Sequence, residues 1–214
     1  MRITHFMNSR RLIILIATLF FLPYTYAAPP HPVPVIVCFG DSITAGPGID
    51  PGHTWPDDLQ TALDNRGYHY KVVNSGISGN TSKDGVDRLK DVLRLHPAVV
   101  IVEFGGNDGL RGLPIADTRR NLSAIVSTLL RAGSKVVLAG ITLPPNYGPD
   151  YIKPFDETYH LIAAQFRVPL LPELYANVYT VPGAIQEDGI HPTAKGAQLL
   201  ADSFLPLLIP LLRK

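Results

Sequence analysis

The sequence predicts an α/β fold: a parallel sheet with helices on both of its faces. Three observations lead there. Short uninterrupted apolar runs, such as Val35-Ile36-Val37-Cys38-Phe39 before Gly40, have the pattern of strands buried on both sides. Stretches with apolar residues at helical spacing separate these runs, and strands joined through helices of that length run parallel. The 214 residues contain no internal repeat and no linker, which suits one domain of ordinary size.

Taken in order, Pro29 to Pro34 is an extended, proline-rich lead-in to the first strand, Val35 to Phe39. Trp55 to Arg66 has the pattern of a helix and Gly67 stops it. A short strand is expected at Tyr70 to Val73, followed by a loop rich in Gly, Ser and Asn. Val86, Leu89, Val92 and Leu93 recur at helical spacing, with Pro97 beyond their end. Ala98 to Phe104 is the next buried strand. Leu122, Ile125, Val126, Leu129 and Leu130 mark an amphipathic helix that Gly133 closes. Lys135 to Ile141 is a strand, and Phe155, Tyr159, Ile162, Ala163 and Phe166 mark a helix. Leu170-Leu171 is a short last strand, and the final helix is expected to start near Pro192, since proline suits a first turn. The apolar tail Phe204 to Leu212 is too short to span a bilayer and is expected to pack over the core.

Composition excludes several classes. With 19 Lys+Arg against 18 Asp+Glu, no general attraction to nucleic acid or anionic lipid arises. Cys38 is the only cysteine, so no disulfide scaffold exists, and inside an apolar run it behaves as a small hydrophobe. The histidines lack ligand spacing, and no metal or cofactor is expected. Neither phosphate-cradling glycine motif is present, nor is a Gly-x-Ser-x-Gly elbow. Asn80-Thr81-Ser82 and Asn121-Leu122-Ser123 match glycosylation acceptors, a pattern common by chance.

The N-terminus differs from the rest. Arg2, Arg10 and Arg11 precede an uncharged, mostly apolar run from Leu12 to Tyr26, and small residues follow. That is the pattern of a secretory signal peptide over residues 1–27, cut between Ala27 and Ala28 and leaving one domain over residues 28–214. The cut removes three arginines and no acid, so 16 Lys+Arg face 18 Asp+Glu, a net of −2 on an exported, periplasmic or secreted chain.

In parallel sheets ligands bind beyond the carboxyl ends of the strands. The loops there read Gly40-Asp41-Ser42, Asn74 to Ser82 and Gly105-Gly106-Asn107-Asp108-Gly109, and Asp188-Gly189-Ile190-His191-Pro192 precedes the last helix. A hydroxyl nucleophile needs a base, and the base needs an acid that fixes its tautomer; Ser42, His191 and Asp188 fill these roles. The N–H groups of Ser42 and Gly79 and the amide of Asn107 are candidate donors to an oxyanion. Alone, Gly40-Asp41-Ser42 also fits a capped strand-to-helix turn, Gly105 to Gly109 an ordinary turn, and His191 a packed or surface histidine. Their joint occurrence in this order favours catalysis.

These residues resemble the sequence blocks of the SGNH (GDSL) hydrolases, over about Val35 to Phe204. The longer strings Glu103 to Gly112 and Leu143 to Gly148 are similar to the bacterial periplasmic thioesterase I, lysophospholipase and arylesterase group. The resemblance implies a three-layer α/β/α, flavodoxin-like fold with five parallel strands, and the same triad and oxyanion donors. It also implies a mobile loop from Gly109 to Pro114 beside the acyl channel, with Leu110, Arg111, Asn146 and Tyr147 binding substrate. Two features depart from the family pattern: the proline- and glycine-rich Pro47 to His53 loop, and Asn80, where close relatives carry an aspartate. The expected activity is hydrolysis of fatty acyl or aryl esters, acyl-thioesters or lysophospholipids by a monomer acting on small-molecule substrates. The alternatives are an exported carbohydrate acetylesterase and a non-catalytic binding protein.

Overall fold

The computed structural model describes residues 32–214, and the expected signal segment 1–27 lies outside the described residues. Val35–Gly40 (β1) pairs on one side with Lys71–Gly76 (β2) and on the other with Val99–Glu103 (β3). The sheet continues through Lys135–Ala139 (β4) to Leu170–Leu171 (β5), and every pair is parallel. The order β2-β1-β3-β4-β5 reverses direction at β1, and that reversal opens a crevice at the strand ends.

Seven helices complete the unit Val33–Lys214: Ser42–Ala45 (α1), Trp55–Asp64 (α2), Ser82–Leu93 (α3), Gly106–Leu110 (α4), Ile115–Arg131 (α5), Pro149–Phe166 (α6) and Ala194–Leu208 (α7). Right-handed crossovers send the connection from β1 to β2 across one face and the later ones across the other. Accordingly α2 packs on α7, while α3, α5 and α6 pack side by side. The two helical layers and the sheet between them are the three-layer α/β/α, flavodoxin-like architecture expected. Among the described residues, no helix is long and apolar enough to cross a membrane.

Local chemistry fixes the ends of these helices. Asp57 accepts the N–H of Thr54 at 3.0 Å ahead of α2, and Asp84 accepts that of Thr81 at 2.8 Å ahead of α3. The strands β1 and β3 bury almost every side chain, as their uninterrupted apolar runs require, and Cys38 is fully buried. Phe204, Leu205 and Leu208 are buried as well, so the apolar tail packs on the core.

The structure corrects several boundaries. β2 runs on through Asn74 and Ser75 to Gly76, because an edge strand tolerates polar side chains that a central one does not. The last helix starts at Ala194 under a Thr193 cap, and Pro192 precedes that cap instead of occupying the first turn. α6 starts at Pro149, six residues before the first apolar position of its stripe. Pro154 is tolerated because the bond it forgoes lies in the opening turns. β3 and β4 are shorter than their apolar runs, ending at Glu103 and Ala139.

Candidate active site

The segments after all five strands and the loop before α7 converge on a cavity of about 360 Å³. Ser42 opens α1, directly after β1, and Asp41 caps that helix by accepting the N–H of Ile43 at 3.0 Å. The turn is tight enough to need glycine before it: a side chain on Gly40 would sit 2.2 Å from Thr44 Oγ1 and 2.3 Å from Glu103 Oε2. Glu103, at the end of β3, fixes the turn from below. Its Oε2 accepts the N–H of Asp41 at 3.2 Å and the hydroxyl of Thr44 at 2.7 Å.

Ser42 Oγ donates to His191 Nε2 at 2.8 Å, and His191 Nδ1 donates to Asp188 Oδ2 at 2.6 Å. Asp188 Oδ1 accepts two further hydrogen bonds, from the N–H groups of Ile190 at 2.9 Å and His191 at 3.0 Å. These bonds, that from the His191 ring foremost, hold the Asp188 carboxyl down to about 2. An ionised Asp188 selects the Nδ1–H tautomer and leaves Nε2 free to take a proton. The loop closes through Gly189 at φ +72°, a left-handed conformation that favours glycine. Tyr175, buried beside it, donates its hydroxyl to Ile190 O at 2.8 Å.

The N–H groups of Ser42 and Gly79 have no acceptor among the described residues, and both residues line the cavity. Asn107, on α4, lines it too. Its Nδ2 donates to Asn80 O at 2.9 Å and to Asp41 Oδ2 at 3.1 Å. Both amide hydrogens are therefore engaged, and donation to an oxyanion requires one to be shared. Gly105 to Gly109, a candidate plain turn by sequence, is thus largely the short helix that carries this amide.

The four residues that the resemblance implied for substrate binding fall into two groups. Leu110 lines the cavity. Arg111 is exposed and donates to Gly79 O at 2.8 Å, Tyr147 donates its hydroxyl to Leu110 O at 2.8 Å, and Asn146 is exposed. None of these three is on the cavity wall. Gly109 and Leu110 belong to α4, so the segment from Gly109 to Pro114 begins as helix. The wall is mainly apolar: Ile43, Ile141, Leu143, Leu174 and Ile190 join Leu110, with Tyr175 and Tyr179.

Sequence reasoning gave no role to Asp41, Glu103 or Arg88. Burial, then the charge of Asp41, pushes the Glu103 carboxyl well above the usual range. Burial also raises Asp41 to about 6, against the hydrogen bonds from Ile43 and Asn107 that favour its charge. A lone acid closing the apolar run Val99 to Glu103 was the visible signal for the first. For Arg88 the signal was its spacing, in register with Gly85 and Val92 on the buried stripe of α3.

The GDSL-like Lipase/Acylhydrolase family profile matches residues 38–199. The chain is 44% identical over 178 residues to Esterase TesA of Pseudomonas aeruginosa, spanning 83% of this chain and 89% of that one. It is 38% identical over 177 residues to Thioesterase 1/protease 1/lysophospholipase L1 of Escherichia coli, spanning 82% and 84%. The crystal structure of TesA superposes with a TM-score of 0.80 at 44% identity, covering 83% of this chain and 99% of that one.

Proposed function

From the premise that this chain belongs to the GDSL-like lipase/acylhydrolase family, we propose that it hydrolyses carboxylic esters and thioesters through an acyl-enzyme on Ser42. It is a serine hydrolase of the SGNH type. The observation that carries the mechanism is the chain Asp188–His191–Ser42, with links of 2.6 and 2.8 Å, beside two unpaired N–H groups on an apolar cavity.

In the proposed cycle His191 Nε2 takes the Ser42 proton as Oγ attacks the acyl carbonyl. The oxyanion that forms draws on the N–H groups of Ser42 and Gly79 and on the Asn107 amide. Collapse breaks the bond to the alcohol or thiol, which leaves with the proton from His191. A water molecule, deprotonated by the same nitrogen, then frees the acid and restores Ser42. The ionised Asp188 stabilises the imidazolium formed at each stage.

The apolar wall supports a fatty acyl or aryl substrate over an acetylated sugar, whose hydroxyls would need buried polar partners. Every group in the cycle comes from one chain, so the proposed cycle needs no second copy. The basic and then apolar segment 1–27 supports export, with the cut after Ala27.

The test is the initial rate on nitrophenyl esters from acetyl to palmitoyl, on a matching acyl-CoA and on acetylated xylose, with fluorophosphonate labelling alongside. Each two methylenes buried add up to about tenfold in kcat/KM until the cavity is filled. Ser42→Ala should lose labelling and at least about 10⁴-fold in kcat. Retained hydrolysis in that variant would sink the mechanism, and a rate confined to acetylated xylose would replace the substrate class.

A further inference from the structure

Arg88 is half-buried on α3, and no carboxylate pairs with it among the described residues. Its guanidinium nonetheless makes four hydrogen bonds. Nη2 donates to Gly40 O at 2.7 Å, Nη1 to Ser75 O at 2.9 Å and Ser75 Oγ at 3.2 Å, and Nε to Asn80 Oδ1 at 2.7 Å. Its Cζ lies 4.5 Å from the centre of the Phe39 ring and 5.4 Å from that of Phe104. Phe39 and Phe104 themselves meet edge to face at 4.8 Å. One side chain therefore grips the end of β1, the end of β2 and the loop that follows β2, with its cation beside aromatic rings from the ends of β1 and β3.

We propose that Arg88 is a positioning residue for the oxyanion hole: it holds the Gly79-Asn80 segment against the nucleophile turn and, through Asn80, aims the Asn107 amide. This rests on Gly79 and Asn107 serving as oxyanion donors.

Gly40 lies two residues before Ser42, and its carbonyl accepts the N–H of Ile77 at 3.2 Å as well as Arg88. Asn80 is held twice, its Oδ1 by Arg88 and its carbonyl by Asn107 Nδ2 at 2.9 Å. The path from guanidinium to oxyanion donor is two hydrogen bonds through one residue. Lysine cannot replace this side chain, because a single ammonium does not present a planar fork to three carbonyl-type oxygens. Arg111 holds Gly79 O from the other side at 2.8 Å, but it is exposed.

The experiment is a double-mutant cycle on purified protein with a medium-chain nitrophenyl ester, using Arg88→Lys, Asn107→Ala and the pair. Alone, Arg88→Lys should lower kcat by about 10- to 10²-fold with KM within about threefold, the cost of a misplaced catalytic donor. A boronic acid that mimics the tetrahedral adduct should lose affinity in parallel, while product-acid inhibition holds within about twofold. In the Asn107→Ala background Arg88→Lys should cost under about threefold, since the amide it aims is gone. A merely structural arginine would instead give additive losses and weaken both inhibitors alike, which overturns the proposal. Should Arg88→Lys fail to fold, Asn80→Ala removes the same link while leaving the guanidinium in place. Full activity in that variant overturns the proposal equally. If Asn107→Ala alone leaves kcat unchanged, the reading of the oxyanion hole fails, and with it the basis for Arg88.

Discussion

Asp41→Asn should trade activity for stability in a way that pH reveals. The Asp41 side chain is 2% exposed, and its carboxyl is raised from 3.8 to about 6, chiefly by burial. A carboxyl raised on folding costs nothing where it is protonated in both states. Above the folded value it is ionised in both, and the native state then bears the whole penalty. That rise amounts to about 3 kcal/mol lost as pH climbs from about 4 to above 6. Asparagine keeps the shape and cannot ionise, so the penalty vanishes. It also leaves one acceptor oxygen where Asp41 uses two, for Ile43 at 3.0 Å and Asn107 at 3.1 Å, which forfeits about 1–2 kcal/mol. The variant should therefore be about 1–2 kcal/mol less stable than the parent at pH 4 and about 1–2 kcal/mol more stable at pH 8. Urea denaturation of both proteins across that range reads the difference, to which the Glu103 carboxyl also contributes because the Asp41 charge is one cause of its rise. At pH 8 the stabilised variant should still be slower, by about tenfold or more in kcat, because the Asn107 amide has lost the carboxylate that aligns it. A stability difference that is flat with pH, or that turns against the variant as pH rises, would refute the burial argument.

Two further outcomes follow from the geometry. Asp188→Asn leaves the loop shape but no longer enforces the Nδ1–H tautomer of His191, so kcat should fall by about 10³-fold or more in initial-rate assays, with KM little changed. Gly40→Ala forces a methyl group to within 2.3 Å of Glu103 Oε2 and 2.7 Å of Glu103 O, so the urea midpoint should show a loss of about 3 kcal/mol or an outright failure to fold.

What the sequence made legible was whatever is local or periodic. Asp188 and His191 lie three apart around a glycine, so their pairing could be read without knowing the fold. Ser42, Gly79 and Asn107 could be read because alternating strands and helices put their loops on one edge of a sheet. The register that brings them together is long-range. Arg88 reaches Gly40, 48 residues away, and Glu103 reaches Thr44, 59 residues away, and no spacing rule links such pairs. Much of the cavity wall beyond Leu110 was illegible for the same reason, since Leu174 and Tyr175 sit on a loop that nothing in its own composition marks. The apolar stripe of α6 missed the helix start because the opening turn at Pro149 contributes little to the core. Pro192 misled because it has the φ of a first-turn residue yet sits one residue before the Thr193 cap.

The way the site is held explains why polar groups collect beneath it. The three candidate oxyanion donors come from three different strand ends, and a parallel sheet hydrogen-bonds strands to one another but not the loops beyond them. Some other set of bonds has to carry the register past the last rung. Gly40 O, Asn80 and Asp41 provide those bonds, with Arg88 and Glu103 as their anchors. Burial disfavours both anchors and Asp41 as well: Arg88 is a half-buried cation with no counter-ion among the described residues, Glu103 is an acid pushed well above the usual range whose Oε1 finds no partner among them, and the Asp41 carboxyl is raised to about 6. Apolar residues of similar size would pack those positions more stably but could not fix the direction of an amide or a carbonyl. The destabilised groups thus lie where the donors must be aimed, and the buried apolar side chains of β1 and of β3 up to Val102 supply the stability that tolerates them.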